Sequence, residues 1–272
     1  MGNIEPVIKF QSFSSGSCGN CYFLHAEVPD GRSSGIIIDA GVSLRRLRQE
    51  LLKGGFTFDD IDAVLVTHDH WDHIHNLGSY CKRLLKPVWM TGVLRRSMAT
   101  HYLTGQYLGP VAKQLKDDGW SEIVPGTIRA KYFIVPHDAT QTVGYFIDLA
   151  GYGFTVMTDI GAITEEALDY ARQSSTVVIE ANYDLDMLRS GPYPVELQDR
   201  ICGGHGHLSN AETADAISDF LHPGLRNIFL CHLSEHNNTP ALAVKTTSRA
   251  VEGTGIRLLA LPRQTASPLF VL

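Results

Sequence analysis

The chain has 272 residues, with 23 Lys plus Arg against 29 Asp plus Glu and a formal charge of −6. At 44% hydrophobic and 19% charged it has too much apolar surface to stay disordered, and a single globular domain over 1–272 is expected. Its apolar runs are strand-sized, far short of the roughly 20 residues that span a bilayer, so no transmembrane segment is expected, and the acidic balance excludes a broad basic face that coats nucleic acid.

The opening MGNIEPVIKF has no basic start, apolar core or small-residue cleavage site, so a cytoplasmic location is expected. Strands are predicted at Val7–Phe13, Cys21–Ala26 and Gly35–Asp39, as β-branched or aromatic runs bounded by Gly, Asn and Pro. A helix follows over Leu44–Leu52, with Leu44, Leu47, Leu51 and Leu52 on one face. Ile61–Thr67 reads as a buried strand, Asp72–Leu85 as a helix and Val88–Met90 as a short strand. Ile128–Val135, Val143–Leu149, Gly153–Met157 and Val177–Glu180 read as further strands. Helices fit Thr164–Gln173, Pro194–Ile201, Ser209–Leu221 and Ala241–Val251, the third opened by a Ser209/Glu212 capping-box pattern. Asn227–Leu230 and Ile256–Leu261 are the last strands. Many strands with helices distributed among them imply a layered α/β domain.

Five cysteines, Cys18, Cys21, Cys81, Cys202 and Cys231, suit reduced thiols better than a disulfide framework. Cys18-x-x-Cys21 has no second pair to complete a zinc ribbon and reads as structural. Twelve histidines are an excess that a fold does not need, and histidine is the commonest metal ligand. Six consecutive residues concentrate it: His68-Asp69-His70-Trp71-Asp72-His73 follows the strand Ile61–Thr67. Residues two apart on an extended chain point the same way, so His68 and His70 can approach one ion together. Asp72 and His73 open the next helix and face the same place at an offset, which favours a second ion. His137, Asp159 and His232 each lie just beyond a predicted strand, where side chains converge at one edge of a sheet.

His-x-His-x-Asp-His followed by His, Asp and His at strand ends resembles the metallo-β-lactamase superfamily, a four-layer αββα sandwich with a two-metal site between its sheets. The match spans nearly the whole chain. It implies that His68, His70 and His137 hold one ion and that Asp72, His73 and His232 hold the other. Asp159 bridges them in this reading, and Asp39 in Ile-Asp-Ala-Gly supports the histidine loop by hydrogen bonding. Phe13-Ser14-Ser15-Gly16-Ser17-Cys18-Gly19-Asn20, Glu180-Ala181-Asn182-Tyr183-Asp184, Gly206-His207-Leu208-Ser209-Asn210 and His232-Leu233-Ser234-Glu235-His236-Asn237-Asn238 together resemble the YycJ (WalJ, VicX) group. Members of that group are bacterial metal-dependent hydrolases regarded as nucleases, related to the tRNase Z type. Two departures stand out: Tyr183 replaces a usual His, and His75-Asn76 replaces a Gly-containing turn.

The resemblance implies a phosphodiester hydrolase, a YycJ-like exonuclease on DNA, using two divalent ions (Zn, Mn or Fe). Such a pair generates hydroxide for attack on phosphorus near neutral pH. Asp72 holds its ion and can accept the water proton, and His207, oriented by Glu180, is the proton donor for the leaving group. The partners expected are a nucleic acid and no membrane; metal identity, DNA against RNA, polarity and oligomeric state stay open. Arg45, Arg46 and Arg48, Lys82, Arg83 and Lys86, and Arg95 and Arg96 form basic clusters that read first as solvated helix faces. Ser15–Asn20 is a turn with N–H groups suited to a phosphate, or a plain loop. Tyr and Trp show no spaced stacking platform, and His25, His101, His205, His222 and His236 receive no role, although His236 lies near His232.

Three other readings compete. A thioesterase, lactonase or β-lactamase on the same fold needs no Glu180 and His207 pair. A flavo-diiron protein usually has an acidic residue at the position of His70 and an added flavin domain, for which 272 residues leave no room. A metal-binding scaffold without activity would tolerate His68→Ala unchanged.

Overall fold

The computed structural model describes residues 5–102 and 104–272; Met1–Ile4 of the N-terminal stretch and Leu103 lie outside the described residues. The first half of the chain builds one sheet from β1 (Val7–Gly16), β2 (Gly19–Glu27), β3 (Ser33–Ile38), β4 (Ala63–Leu65), β5 (Val88–Met90) and β6 (Ala112–Gln114). The second half builds another from β7 (Ser121–Val124), β8 (Ile128–Val135), β9 (Thr142–Leu149), β10 (Tyr152–Met157), β11 (Thr176–Glu180), β12 (Asn227–Cys231) and β13 (Arg257–Ala260). A final strand, β14 (Phe270–Val271), returns to pair antiparallel with β1 and gives the first sheet seven strands in the order β14-β1-β2-β3-β4-β5-β6.

Both sheets change character part-way across. β1 to β3 and β7 to β10 run antiparallel through short turns. β3 to β6 and β10 to β13 run parallel. Parallel neighbours need long crossovers, and the helices supply most of them. On the first sheet these are α1 (Leu44–Lys53), α2 (Trp71–Ile74), α3 (Leu77–Leu84), α4 (Gly92–Ala99) and α5 (Gly105–Leu108); on the second, α6 (Glu165–Ala171), α7 (Leu185–Ser190), α8 (Val195–Cys202), α9 (Asn210–Phe220) and α10 (Pro240–Thr247).

Apolar residues on the facing sides of the two sheets form one core, with Phe10, Tyr22, Ile36 and Leu65 meeting Tyr145, Phe154, Val178 and Phe229. The outer face of the first sheet is covered by Leu47, Leu51, Leu77, Tyr80 and Leu94, and that of the second by Ala167, Ala171, Ile217 and Phe220. The result is the expected αββα sandwich. Among the described residues no helix is long and apolar enough to cross a membrane.

The predicted helix over Asp72–Leu85 is two helices, broken at His75-Asn76. There the Asn76 N–H bonds Ala40 O (3.0 Å) and its side chain reaches Gly41 O (3.2 Å), so the chain turns to meet the loop after β3. Segment 91–127, left without elements by the sequence pattern, holds two short helices and two short strands whose burial is uneven. The Ser209/Glu212 capping box is present. Cys21 is buried and Cys18 exposed, both free thiols like the other three, so no bridge joins Cys18 to Cys21.

Phe10 is fully buried where the sheets meet, its ring 5.4 Å from Phe154 and 5.0 Å from Phe229. Phe10→Ala is expected to destabilise the chain by about 3–5 kcal/mol, measured as a lowered urea midpoint with unchanged slope.

Candidate metal centre

One end of the sandwich gathers the chemistry, because strand after strand ends there with a polar residue. Asp39 follows β3, His68 follows β4, His137 follows β8, Asp159 follows β10, Glu180 is the last residue of β11 and His232 follows β12. Asp39, Asp159 and His232 have φ of 62°, 55° and 52°. This left-handed backbone is disfavoured for residues with a Cβ, by about 1–3 kcal/mol each, and concentrates at functional sites. The turn aims each side chain across the sheet end instead of along the strand.

The donor atoms form overlapping groups, among them His68 with His73 and Asp159, and Asp159 with Glu180, His207 and His232. His68, His70 and His137 form one, with His70 Nδ1 3.3 Å from His137 Nε2. Asp72, His73 and His232 form another, Asp72 Oδ2 lying 3.5 Å from Nε2 of each histidine. Asp159 stands between them. Its Oδ2 is 3.1 Å from His73 Nε2, and its Oδ1 is 3.8 Å from His137 Nε2. All seven residues singled out from the sequence are therefore brought together.

Each imidazole is anchored by one nitrogen and offers the other inward. His73 Nδ1 donates to Asp39 Oδ2 (2.7 Å), His137 Nδ1 to Gly206 O (2.8 Å), His232 Nδ1 to Glu180 Oε1 (2.8 Å) and His70 Nε2 to Asp138 O (3.2 Å). The Thr67 hydroxyl donates to Asp39 Oδ2 (2.8 Å), so it accepts from His68 Nδ1 (3.0 Å). Nε2 of His68 and Nε2 of His232 are buried with no hydrogen-bond partner. A buried polar atom left bare is costly, and two bare imidazole nitrogens beside carboxylates match what a divalent cation takes as ligands.

The electrostatics agree. Burial pushes the His68 pKa well down, and neighbouring His73 adds to this, so the ring is neutral. Burial also opposes charge on His232, but Asp159, Asp72 and Glu180 outweigh it and lift its pKa to about 10. Burial would raise Asp159, yet His232 and His73 hold it well below the ordinary carboxylate range. The carboxylates thus call for positive charge inside a dry site, which a proton supplies in the absence of a cation and a cation supplies by displacing that proton.

Close backbone approach makes this possible. A Cβ on Gly41 would lie 2.0 Å from Asp72 O and 2.3 Å from the Asn20 N, and a Cβ on Gly206 2.2 Å from Ile201 O. Neither position admits a side chain. Gly206 lets the loop before His207 pass against α8, and Gly41 lets the loop after β3 touch α2.

His207 stands at the rim, its Nδ1 donating to Glu180 Oε1 at 2.8 Å, the oxygen that also receives His232 Nδ1. Burial opposes its charging, but Glu180 prevails and raises its pKa above the ordinary value. Glu180 is wholly buried and held by the Ile160 N–H (2.9 Å). Two asparagines escaped the sequence reading. Asn20 Nδ2 donates to Asp72 Oδ2 (3.0 Å), and Asn182 Nδ2 to His232 O (2.8 Å). Both lie inside quoted motifs, but nothing in their spacing marks them. Tyr183 is buried and lies outside the cleft lining. Ser15–Asn20 is the tip of the β1–β2 hairpin, and Ser15 Oγ accepts from the His232 N–H (2.9 Å). Arg46 is tied to the carbonyls of Phe13 and Gln264, and no residue of the three basic clusters lines the cleft.

Comparison with known proteins decides the lineage. The model of the beta-lactamase superfamily domain matches residues 35–232. The chain belongs to this superfamily. Exodeoxyribonuclease WalJ of Streptococcus pneumoniae (serotype 2, strain D39) is 30% identical over 274 residues, covering 97% of this chain and 98% of that protein. Exodeoxyribonuclease YycJ of Bacillus anthracis is 27% identical over 248 residues, covering 91% and 90%. The crystal structure of Zn²⁺-bound PqqB from Methylobacterium extorquens superposes with a TM-score of 0.68 at 16% identity, covering 95% of this chain and 99% of that one. This superfamily member is accordingly a hydrolase of a metal-dependent class, and its fold implies binding of divalent metal.

Asp39 touches no inward-facing nitrogen yet orients His73 and Thr67. Asp39→Asn is expected to weaken divalent-metal binding by about 10–100-fold, measured by competition with a chromophoric chelator.

Proposed function

We propose that this superfamily member is a dinuclear-metal phosphodiesterase, and that it acts as a nuclease removing nucleotides from the ends of DNA. The reading is carried by the Glu180–His207 pair, 2.8 Å apart and beside the His and Asp donors at the mouth of the cleft. A thioester expels a thiolate that leaves without a proton, so its hydrolysis does not call for a second, separately buried carboxylate beside a histidine. Strand cleavage does, because an alkoxide leaves and needs a proton. The names of the pneumococcal and anthrax relatives support the same substrate class.

His68, His70 and His137 would hold one ion, Asp72, His73 and His232 the other, and Asp159 would contact both. Bound at these residues, two dications would supply the activation of water near neutral pH and the positive charge that phosphoryl transfer calls for. Asp72, with one oxygen toward His73 and His232, accepts the proton released on attack. His207 stays protonated through its contact with Glu180 and delivers that proton to the leaving oxygen. Glu180 holds His207 and His232 with one oxygen, keeping the donor in line with the cluster. The whole site is the work of one domain spanning the chain.

The test is degradation of end-labelled single- and double-stranded DNA and RNA with Zn²⁺, Mn²⁺ or Fe²⁺ after chelator treatment. Activity is expected to vanish with the metal and return with at least one of the three, with mononucleotide products from DNA; absence of cleavage of any phosphodiester under all three overturns the proposal. A second measurement isolates the proton donor. His207→Ala is expected to lower kcat on DNA by about 10²–10⁴-fold, but much less on a p-nitrophenyl phosphodiester, whose leaving group departs without a proton. Equal losses on both substrates would assign His207 a structural part only.

A further inference from the structure

The cleft over the donors is larger than the reacting phosphate requires. Its volume is about 400 Å³, within the range that takes one small ligand (roughly 300–1,000 Å³), and besides the donors it is lined by Tyr193, Leu197, Ile201 and His236. Tyr193 and His236 come from segments far apart in sequence, which is why no stacking platform is visible in the residue pattern. Their rings meet edge to face, with centroids 5.9 Å apart at 74°. Tyr193 is half-buried, and its carbonyl is pinned by Nε2 of the buried Gln198 (2.9 Å). Among the described residues Arg200 is the one lysine or arginine lining the cleft. Its Nε donates to Asp138 Oδ2 (2.7 Å), next to His137. The arginine end of that pair is open to solvent, its side chain being 66% exposed against 28% for the aspartate, and pairs with a solvent-exposed partner contribute little. Exchanging the carboxylate for a phosphate therefore costs little, and the planar guanidinium suits phosphate by geometry as well as charge.

We propose that this wall seats the terminal nucleotide of the strand, its base against Tyr193 with His236 at the edge and its phosphate on Arg200. The inference rests on the nuclease reading and sharpens it. A cleft of this volume has room for one nucleotide beside the donors. Stacking on an aromatic ring tolerates any base, which fits degradation without sequence preference.

The experiment is calorimetric titration of the metal-loaded 272-residue chain with dAMP, deoxyribose 5-phosphate and inorganic phosphate. The wild-type chain is expected to bind dAMP at least about tenfold more tightly than either base-free probe, a margin typical of one stacked base. Tyr193→Ala should erase most of this margin, Tyr193→Phe should retain it, and Arg200→Ala should weaken all three probes. The comparison of probes in the unaltered chain needs no variant, so misfolding of one leaves the result intact. Equal binding of the three probes, or an undiminished margin in Tyr193→Ala, overturns the seat. Strand cleavage without the dAMP margin removes the seat and leaves the nuclease reading standing. The dAMP margin without cleavage of any phosphodiester supports the seat and removes the nuclease reading.

Discussion

The Asp39 carboxylate is the tie on which the site depends. Fully buried, it accepts from the Thr67 N–H and hydroxyl with Oδ1 and Oδ2 (2.8 Å each) and from His73 Nδ1 (2.7 Å). One side chain thus fixes the end of β4, the direction of His73 and, through Thr67, the tautomer of His68. A buried anion is tolerated only when its lone pairs are satisfied, and three donors satisfy these. The left-handed backbone of Asp39 that turns the carboxylate to this place is strain borne for the same purpose.

The rest of the architecture supplies the second anchor from the other sheet. Glu180 does for His232 and His207 what Asp39 does for His73 and Thr67, a buried carboxylate that sets imidazole direction. The two carboxylates come from different sheets, at the ends of β3 and β11. Facing donors are therefore held from opposite sides of the seam, and the apolar core between the sheets sets their separation.

Much of this was legible in the residues. The run from His68 to His73 reads as a metal loop because its spacing is local and its strand context is strong. His137, Asp159 and His232 follow because strand ends can be read from β-branched runs. Other features depend on contacts that no local pattern carries. The break at His75-Asn76 is set by the carbonyls of Ala40 and Gly41, thirty-five residues upstream for the side-chain bond. Asn20 and Asn182 act through partners 52 and 50 residues away. The elements of 91–127 are short and unevenly buried, so neither a helical nor a strand period is sustained long enough to show.

The spread of the donors along the chain has a consequence for the protein's biogenesis. His68 and His73 belong to the first half of the chain and His232 to the second. Contacts of such sequence separation form late, and here they close the second sheet against the first. A chain whose second sheet has not yet formed consequently displays a histidine loop without its counterpart. Completion of the fold and assembly of the donor cluster are one event.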